Sequence, residues 1–302
     1  MNSSRNKEQA GSSARRLAEQ AAARLGPGEK TALPVLIFLF IGFAAPLLAV
    51  IWYSFMPPRT FSFTGVPTVQ NYQTIFQSTS YISFLWSLSL AALTTAVLAL
   101  ICYPVAYAMV RVFGPYSMLL TLLFTIPLFV SENIRLYGWV LFFIKNGVLL
   151  GTVKHLSGLD LQSLLFTRAA VIFGMVYVYI PFMLFPMTLG VSMVPAETRD
   201  AAFDLGATRW QVFREVELPL SMPGVLIGSL LTFVLAVGAI AEAKVLGGQK
   251  VIPITHDIEI AFTYAQNWPL GSALAVLLMA VVGALVLLVL RRFDLDLLLG
   301  RK

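Results

Sequence analysis

The sequence contains little charge. Only 12% of its 302 residues are Asp, Glu, Lys or Arg, about half of the roughly 25% that is typical of a soluble globular chain. Hydrophobic residues make up 58% and the mean hydropathy is +0.81, which excludes an intrinsically disordered chain. The single cysteine, Cys102, excludes a disulfide framework and a cysteine-based metal site. This composition predicts a polytopic membrane protein.

Common catalytic and nucleotide-binding motifs are also absent from the sequence. The nearest string to a Walker A motif, Gly247–Lys250, lacks both its spacing and its following Ser or Thr. Neither His155 nor His256 belongs to an HExxH motif, and no Gly-x-Ser-x-Gly elbow occurs. The sequence therefore predicts a chain that is not an enzyme, binds no metal and has no nucleotide site of its own.

Six apolar runs approach or exceed the roughly 20 residues that a membrane-crossing helix needs. They are Leu33–Phe55, Tyr81–Val110, Pro115–Phe143, Ala169–Met193, Leu220–Ala241 and Trp268–Leu290. We expect an all-α membrane protein with six transmembrane helices. Its organisation would be a polar cytoplasmic tail at 1–32, a transmembrane domain at 33–293 and a cytoplasmic C-terminal tail at 294–302.

Basic residues are distributed unevenly along the chain. If both termini are cytoplasmic, about two-thirds of the 21 Lys and Arg fall on the cytoplasmic side, as the positive-inside rule requires. Arg291 and Arg292 directly follow the last span, where they would anchor it. Because the basic residues are scattered between apolar runs, the net charge of +6 does not indicate a nucleic-acid partner.

One polar segment between two spans, 194–219, has the pattern of two short helices joined at a glycine. Pro195 suits the first position of a helix, and Gly206 can adopt the left-handed conformation that ends one. Thr208, with a glutamine three residues on, predicts a capping box for a second helix, and Pro219 is expected to break that helix before the next span. An amphipathic loop at the membrane surface would share these features.

The spacing in this segment resembles the EAA motif of ABC importer permeases, which runs Glu-Ala-Ala, three residues, Gly, nine residues and Ile-x-Leu-Pro. The chain reads Asp200-Ala201-Ala202, then Gly206, then Val216-Glu217-Leu218-Pro219. Only Asp200 and Val216 depart from the pattern, both conservatively. The resemblance extends over about 33–295 and is strongest to the spermidine/putrescine-type subfamily, through four further stretches: Ile134–Trp139, Asp204–Arg214, Leu218–Gly224 and Trp268–Leu274.

The resemblance implies a type I ABC importer permease in a bacterial inner membrane. It implies four kinds of partner: a second permease subunit encoded by a different chain, a cytoplasmic ATPase dimer, an external solute-binding protein and membrane lipid. No cofactor would be bound by this chain, since ATP and Mg belong to the ATPase. Segment 194–219 would dock on the ATPase as a coupling helix through Arg199, Asp200, Ala201, Ala202, Leu205, Gly206, Arg209, Leu218 and Pro219.

Polar groups near the outer ends of the spans are candidates for the solute path, because such groups are costly in a membrane. The first cluster is Ser131, Glu132 and Arg135, followed by Tyr137 and Trp139. The second cluster is Glu242 and Lys244. Either cluster fits an interfacial anchor or an internal salt bridge equally well.

The solute class stays open at this point. Polyamine permeases resemble this chain, but in the stretch around Glu242 they carry two acidic residues that are missing here. Lys244 occupies the position of one of these acidic residues. A cation there would repel a polycation, so a polyamine-like solute and a zwitterionic or anionic organic solute are both retained. An ion-coupled secondary transporter is the alternative function, which the EAA spacing opposes. Gly224 and Gly228 form a small-xxx-small pair that would pack within this subunit or against the second permease.

Overall fold

The computed structural model describes residues 27–158, 162–248 and 250–292, with only the backbone described for residues 27–31 and 33. The C-terminal tail at 294–302 and most of the tail at 1–32 therefore lie outside the described residues. Six helices within those ranges are long and apolar enough to cross a membrane, which confirms the predicted six-span fold. They are Pro34–Ser54, Ser80–Arg111, Glu132–Ser157, Arg168–Ser192, Arg209–Val237 and Trp268–Arg292.

The α-helices are numbered in chain order. They are α1 (Pro27–Leu39), α2 (Ala45–Ser54), α3 (Gln70–Gln77), α4 (Ser80–Arg111), α5 (Ser117–Thr125), α6 (Glu132–Phe143), α7 (Val148–Ser157), α8 (Arg168–Ser192), α9 (Ala196–Asp204), α10 (Arg209–Gln211), α11 (Leu218–Val237), α12 (Ala241–Gly247), α13 (Ile254–Thr263) and α14 (Trp268–Arg292). Short 3-10 segments lie at Gly114–Tyr116 and Ile126–Phe129, and π-helical segments at Phe40–Ala44 and Val212–Glu217.

Helix α8 is the centre of the bundle. It packs along both α4 and α11, which also contact each other, and its Met183, Leu184 and Met187 are completely buried. Because α4 and α8 run in the same direction, with Cys102 near Ile180 and Arg111 near Val191 and Val194, their last turns meet at one end of the bundle. We call this the Arg111 end and the opposite one the Trp268 end.

Facing glycines set the closest approach between α8 and α11. A Cβ on Gly190 would lie 2.7 Å from the Gly224 Cα, and one on Gly228 would lie 2.9 Å from the Met183 carbonyl oxygen. Only glycine lets two helix backbones approach this closely. Of the two alternatives for Gly224 and Gly228, the structure therefore favours packing within this subunit.

The third predicted span, Pro115–Phe143, is not one helix. The chain forms α5 and a 3-10 segment up to Phe129, becomes extended at Val130 (φ −103°, ψ 133°) and starts a new helix at Glu132. Pro127 lies at the start of the 3-10 segment, where its missing N–H removes a helical hydrogen bond. The apolar composition continues through the break, so hydropathy alone did not reveal it.

The fifth span also differs from its prediction. Pro219 does not break the helix, because the π-helical segment Val212–Glu217 leads directly into α11 and places Pro219 in its first turn. The wide π turn is closed by the Leu218 N–H, which donates to the Phe213 carbonyl oxygen. At the other end the helix stops at Gly238, and a second short helix, α12, begins at Ala241.

The first span contacts the rest of the chain mainly through α2, which packs along α14. No residue in the apolar window of this span is buried. Tyr53 and Ser54 at its end are the first buried side chains. Most of the first span thus presents apolar side chains outward, as expected of a helix facing lipid or another subunit.

Candidate transport site and coupling surface

A cavity of about 600 Å³ opens where the third and fifth spans are interrupted. Its walls include Val130 and Ser131 from the first break and Gly238 to Ile240 from the second. The third wall is the middle third of α8, from Val178 to Phe182, so the cavity lies at mid-depth of that span. Irregular backbone is tolerated at such depth only where it is buried in protein or lines a cavity.

Each helix that resumes after a break carries a glutamate in its first turn. Glu132 lies in the first turn of α6 and Glu242 in the first turn of α12, where the helix dipole favours negative charge. Both side chains line the cavity together with Arg135 and Tyr179. The structure therefore brings Ser131, Glu132, Arg135 and Glu242 from the two predicted clusters into one site, and it adds Tyr179, which no sequence pattern singled out.

Glu242 is the most unusual of these groups. Its relative exposure is 0%, and neither carboxylate oxygen accepts a well-formed hydrogen bond from any described residue, although the Tyr179 hydroxyl and the Arg135 guanidinium are close enough to act on its charge. Burying an ionised carboxylate is costly unless a counter-charge compensates it. With Glu132 also present and Arg135 the one basic side chain in the lining, the ionised cavity has an excess of one negative charge.

Arg135 is the internal cation of the site. Its guanidinium carbon lies 5.7 Å from the centre of the Tyr177 ring, within the range of a cation–π interaction. Its Nε and Nη1 atoms are buried and have no hydrogen-bond partner among the described residues. Ser131 immediately precedes α6, and its side chain makes no capping hydrogen bond. The site thus retains free donors and free acceptors.

The two aromatic candidates of the third span do not line the cavity. Trp139 packs in an aromatic cluster with Phe173 (ring centroids 4.6 Å apart) and Tyr177 (5.4 Å). Tyr137 is 60% exposed on the outer surface of α6. The structure therefore gives Trp139 a packing environment and leaves Tyr137 on a surface apart from the cavity.

Lys244 also lies away from the cavity. Its Nζ donates to Glu259 of α13 at 2.5 Å, and it lines a separate cavity of about 530 Å³ with His256 and Tyr264. The Lys244 ammonium lowers the pKa of Glu259 by hydrogen bonding and charge. Because its charge is compensated and faces elsewhere, Lys244 gives no electrostatic reason against a cationic solute in the cavity beside Glu242.

The helix–Gly–helix prediction for segment 194–219 is confirmed. Helix α9 ends before Gly206, which has φ +84°, and Thr208 and Gln211 form the predicted capping box at the start of α10. Pro195 is the residue before the helix rather than its first residue, with an extended ψ of 141°. The local sequence signals therefore determine this element almost residue by residue.

Most of the predicted coupling residues are on the surface. Leu205 is 90% exposed, and the neighbouring Trp210, which the sequence prediction omitted, is 66% exposed. The other exposed residues of the predicted set are Asp200, Ala201, Gly206, Arg209 and Pro219, whereas Ala202 and Leu218 are half-buried. An exposed leucine and tryptophan next to a small-residue helix form an apolar surface of the kind that marks an interaction site.

Arg199 does not share this outward orientation. Its Nη1 lies 3.8 Å from Oε1 of Glu217, and its Nε lies 3.9 Å from Oδ1 of Asp200. Glu217 is buried and is also close to Arg111 of α4. Sequence reasoning missed Glu217 because it occupies the variable position of the motif. An ionisable residue continuous with a membrane span was the signal that could have revealed it.

The spans, the cavity and the polar element together indicate the class to which this protein belongs. Six apolar spans are present, residues of the third, fourth and fifth span regions line a charged cavity, and a structured polar element lies at one end, as in a polytopic membrane transport protein. One family model matches more than half of the chain. The model of the family described as "Binding-protein-dependent transport system inner membrane component" matches residues 96–297, and the chain belongs to this family.

Two curated relatives are similar over most of their length. The spermidine/putrescine transport system permease protein PotB of Haemophilus influenzae is 34% identical over 244 residues, covering 80% of this chain and 85% of that protein. PotB of Escherichia coli is 31% identical over 255 residues, covering 84% of this chain and 91% of that protein. The chain is thus the permease subunit of a binding-protein-dependent ABC importer, and an ion-coupled secondary transporter is not favoured.

Solved structures agree with this fold. A bacterial ABC transporter involved in the import of the acidic polysaccharide alginate superposes with a TM-score of 0.71 at 17% identity, covering 86% of this chain and 92% of that one. A bacterial alginate ABC transporter in complex with a pentasaccharide-bound periplasmic protein gives 0.70 at 19% identity. At these identities the likeness supports the type I importer permease fold alone.

Proposed function

We propose that this permease works in a bacterial inner membrane with a second, different permease chain, a cytoplasmic ATPase dimer that binds ATP and Mg, and an external solute-binding protein. The exposed surface of Leu205 and Trp210 supports the ATPase contact, because it is apolar, structured and located at one end of the spans. The Arg111 end then faces the cytoplasm, and both termini lie on that side.

The solute that fits this permease best is an organic cation of the polyamine type. Glu242 is the observation that carries this proposal, since its carboxylate is fully buried, lines the cavity and accepts no well-formed hydrogen bond from any described residue. An ammonium group would compensate the excess negative charge. The PotB relatives support the same class. An anionic solute would add negative charge to a lining in which Glu132 and Glu242 already outnumber Arg135.

Transport through this cavity follows from alternating access. Binding of the loaded external protein on one side and closure of the ATPase on the other favour different arrangements of the spans. The breaks at Val130 and Gly238 are positions where half-helices can move without unfolding a continuous helix. The solute would leave Glu242 when water from the cytoplasm reaches the cavity and replaces the ion pair.

The test of the assembly is purification of the tagged chain from its native membrane. We expect a P-loop ATPase and another six-span permease to co-purify. Recovery of the chain alone, together with uptake driven by an ion gradient without nucleotide, would contradict the proposal and favour secondary transport.

The test of the solute class is uptake of labelled spermidine into proteoliposomes that contain the complete complex. Loss of one ionic contact worth about 1.4 kcal/mol corresponds to a tenfold loss of affinity. We therefore expect Glu242→Gln to reduce uptake at low solute concentration about tenfold. Glu215→Gln, which changes an exposed glutamate outside the cavity lining, serves as the control. Unchanged uptake by Glu242→Gln, or preference for succinate over spermidine in the wild type, would contradict the assignment.

A further inference from the structure

The carboxylate of Glu217 lies where several helices meet at the Arg111 end. The Tyr107 hydroxyl of α4 donates to Oε2 at 2.8 Å. On the other oxygen, Oε1, Arg111 Nε lies at 3.5 Å and Arg199 Nη1 at 3.8 Å. Glu217 ends the π-helical segment that leads into α11, Arg111 ends α4, and Arg199 belongs to α9. One side chain therefore connects the proposed coupling helix with two spans.

The three charged side chains of this cluster are unusually well buried. The side chains of Glu217, Arg111 and Arg199 are 3%, 15% and 27% exposed. Charge interactions are stronger in such surroundings than at a surface, and a buried charge without its partner is costly. A hydrophobic contact would hold the same helices together without that cost. Ion pairs are directional, so they can distinguish between discrete relative positions of the helices, which a hydrophobic contact does not.

The neighbouring contacts extend the connection to α8. Arg111 Nη2 donates to the carbonyl oxygen of Val194 at 3.0 Å, just beyond the end of α8 and before α9. The ring of Phe213 in the π-helical segment lies edge-on to Tyr103 and Tyr107 of α4, at centroid distances of 5.9 and 5.8 Å. Movement of α9 therefore acts on α4, α8 and α11 through directional contacts.

Oxygen Oε1 of Glu217 is not committed to either guanidinium. It accepts no hydrogen bond from any described residue, and both cations lie beyond ordinary hydrogen-bond distance. A displacement of about 1 Å would bring one guanidinium into direct contact and move the other away, a size of helix shift found in switching proteins. The carboxylate can thus form two alternative ion pairs, one within the spans and one with α9.

We propose that Glu217 is a positioning residue that transmits the motion of α9 to the spans by exchanging its closer ion pair between Arg111 and Arg199. This inference rests on the proposed function, because it assumes that α9 is moved by the ATPase. It assigns Arg199 to transmission within this chain rather than to the contact with the ATPase.

The experiment measures ATP hydrolysis and spermidine uptake in the same proteoliposomes, with the external protein present. We expect Glu217→Gln to hydrolyse ATP at a rate near that of the wild type while uptake per ATP falls about tenfold, within the range of known coupling free energies. Glu217→Asp, which keeps the charge, should recover part of the loss. Glu215→Gln, an exposed glutamate in the same π-helical segment, is the matched control. Equal uptake per ATP in Glu217→Gln and Glu215→Gln would overturn the inference.

A second variant keeps the test valid if Glu217→Gln does not assemble. Arg199→Gln removes only the partner on α9 and leaves Arg111 to compensate the buried carboxylate, so the spans stay intact. We expect the same uncoupling and recovery by Arg199→Lys. Normal coupling in Arg199→Gln would overturn the inference alone. A wild-type complex whose uptake does not depend on ATP would overturn the proposed function, and this inference with it.

Discussion

Glu217 and Glu242 lie just beyond opposite ends of α11, both fully buried, yet their surroundings differ completely. Glu217 accepts a hydrogen bond from Tyr107 and lies near two guanidinium groups. Glu242 lines a cavity in which neither of its oxygens accepts a well-formed hydrogen bond from any described residue, and the two carboxylates of the lining outnumber its one described guanidinium. A buried charge that is already compensated holds elements together, whereas an uncompensated one is available to a ligand. This contrast separates the coupling end of the permease from its transport site.

The largest effect is expected from removing the compensated charge. Glu217→Ala would leave Arg111 and Arg199 facing each other without their shared anion, and breaking a buried pair costs about 3–5 kcal/mol. We expect a markedly lower melting temperature of the detergent-solubilised complex. Glu215→Ala in the same segment should melt like the wild type. A melting temperature of Glu217→Ala equal to that of the control would show that the cluster does not stabilise the fold.

A smaller loss is expected where α8 and α11 cross, since this contact fixes the helix that both glutamates flank. A side chain at Gly224 would meet the backbone of Pro186 and Gly190, and overpacking of this kind costs about 1–3 kcal/mol. Gly224→Leu should therefore lower the yield of assembled complex in size-exclusion chromatography. Gly42→Leu provides a control in the first span, where an added Cβ meets nothing within 4 Å. Equal yields would contradict the close crossing.

Glu242→Gln should change stability in the opposite direction to Glu217→Ala. Removing a buried charge that has no partner relieves a desolvation cost, so we expect stability to be unchanged or higher by about 1 kcal/mol. The measurement is the melting temperature of the solute-free complex. A substantial decrease would mean that Glu242 is already paired, and the contrast between the two glutamates would be lost.

The smallest effect is expected at Lys244. Its ion pair with Glu259 is partly exposed, and such pairs contribute less than about 1 kcal/mol. Lys244→Met should therefore leave both the melting temperature and the preference for spermidine over succinate close to those of the wild type. A clear change in solute preference would contradict this placement and indicate that Lys244 contributes to the solute path.

The two glutamates also show which features of the structure could be predicted from the sequence. Local signals were sufficient for the number of spans and for the capped element around Gly206, because hydropathy and capping depend on neighbouring residues, but they misplaced the third span, which runs from Glu132 to Ser157. The break at Val130 was not predictable, since apolar residues continue through it. The meeting of Glu132 with Glu242, and of Glu217 with Arg111 and Arg199, depends on helix packing that no short sequence pattern encodes.

The same limit accounts for the interpretation of Lys244. Its position two residues after Glu242 suggested a shared site, but on a short helix such residues point in different directions. Lys244 faces α13, which supplies Glu259 from a later part of the chain. The argument from the sequence against a cationic solute therefore depended on Lys244, which helix packing places outside the cavity.

The most direct test of the account measures spermidine uptake and solute-stimulated ATP hydrolysis for Glu217→Gln and Glu242→Gln in parallel. Two separate roles predict two separate defects. Glu217→Gln should retain solute-stimulated hydrolysis and lose uptake per ATP, whereas Glu242→Gln should lose stimulation and uptake together while keeping the ratio between them. The same defect in both variants, or no defect in either, would contradict the separation of a coupling glutamate from a transport glutamate.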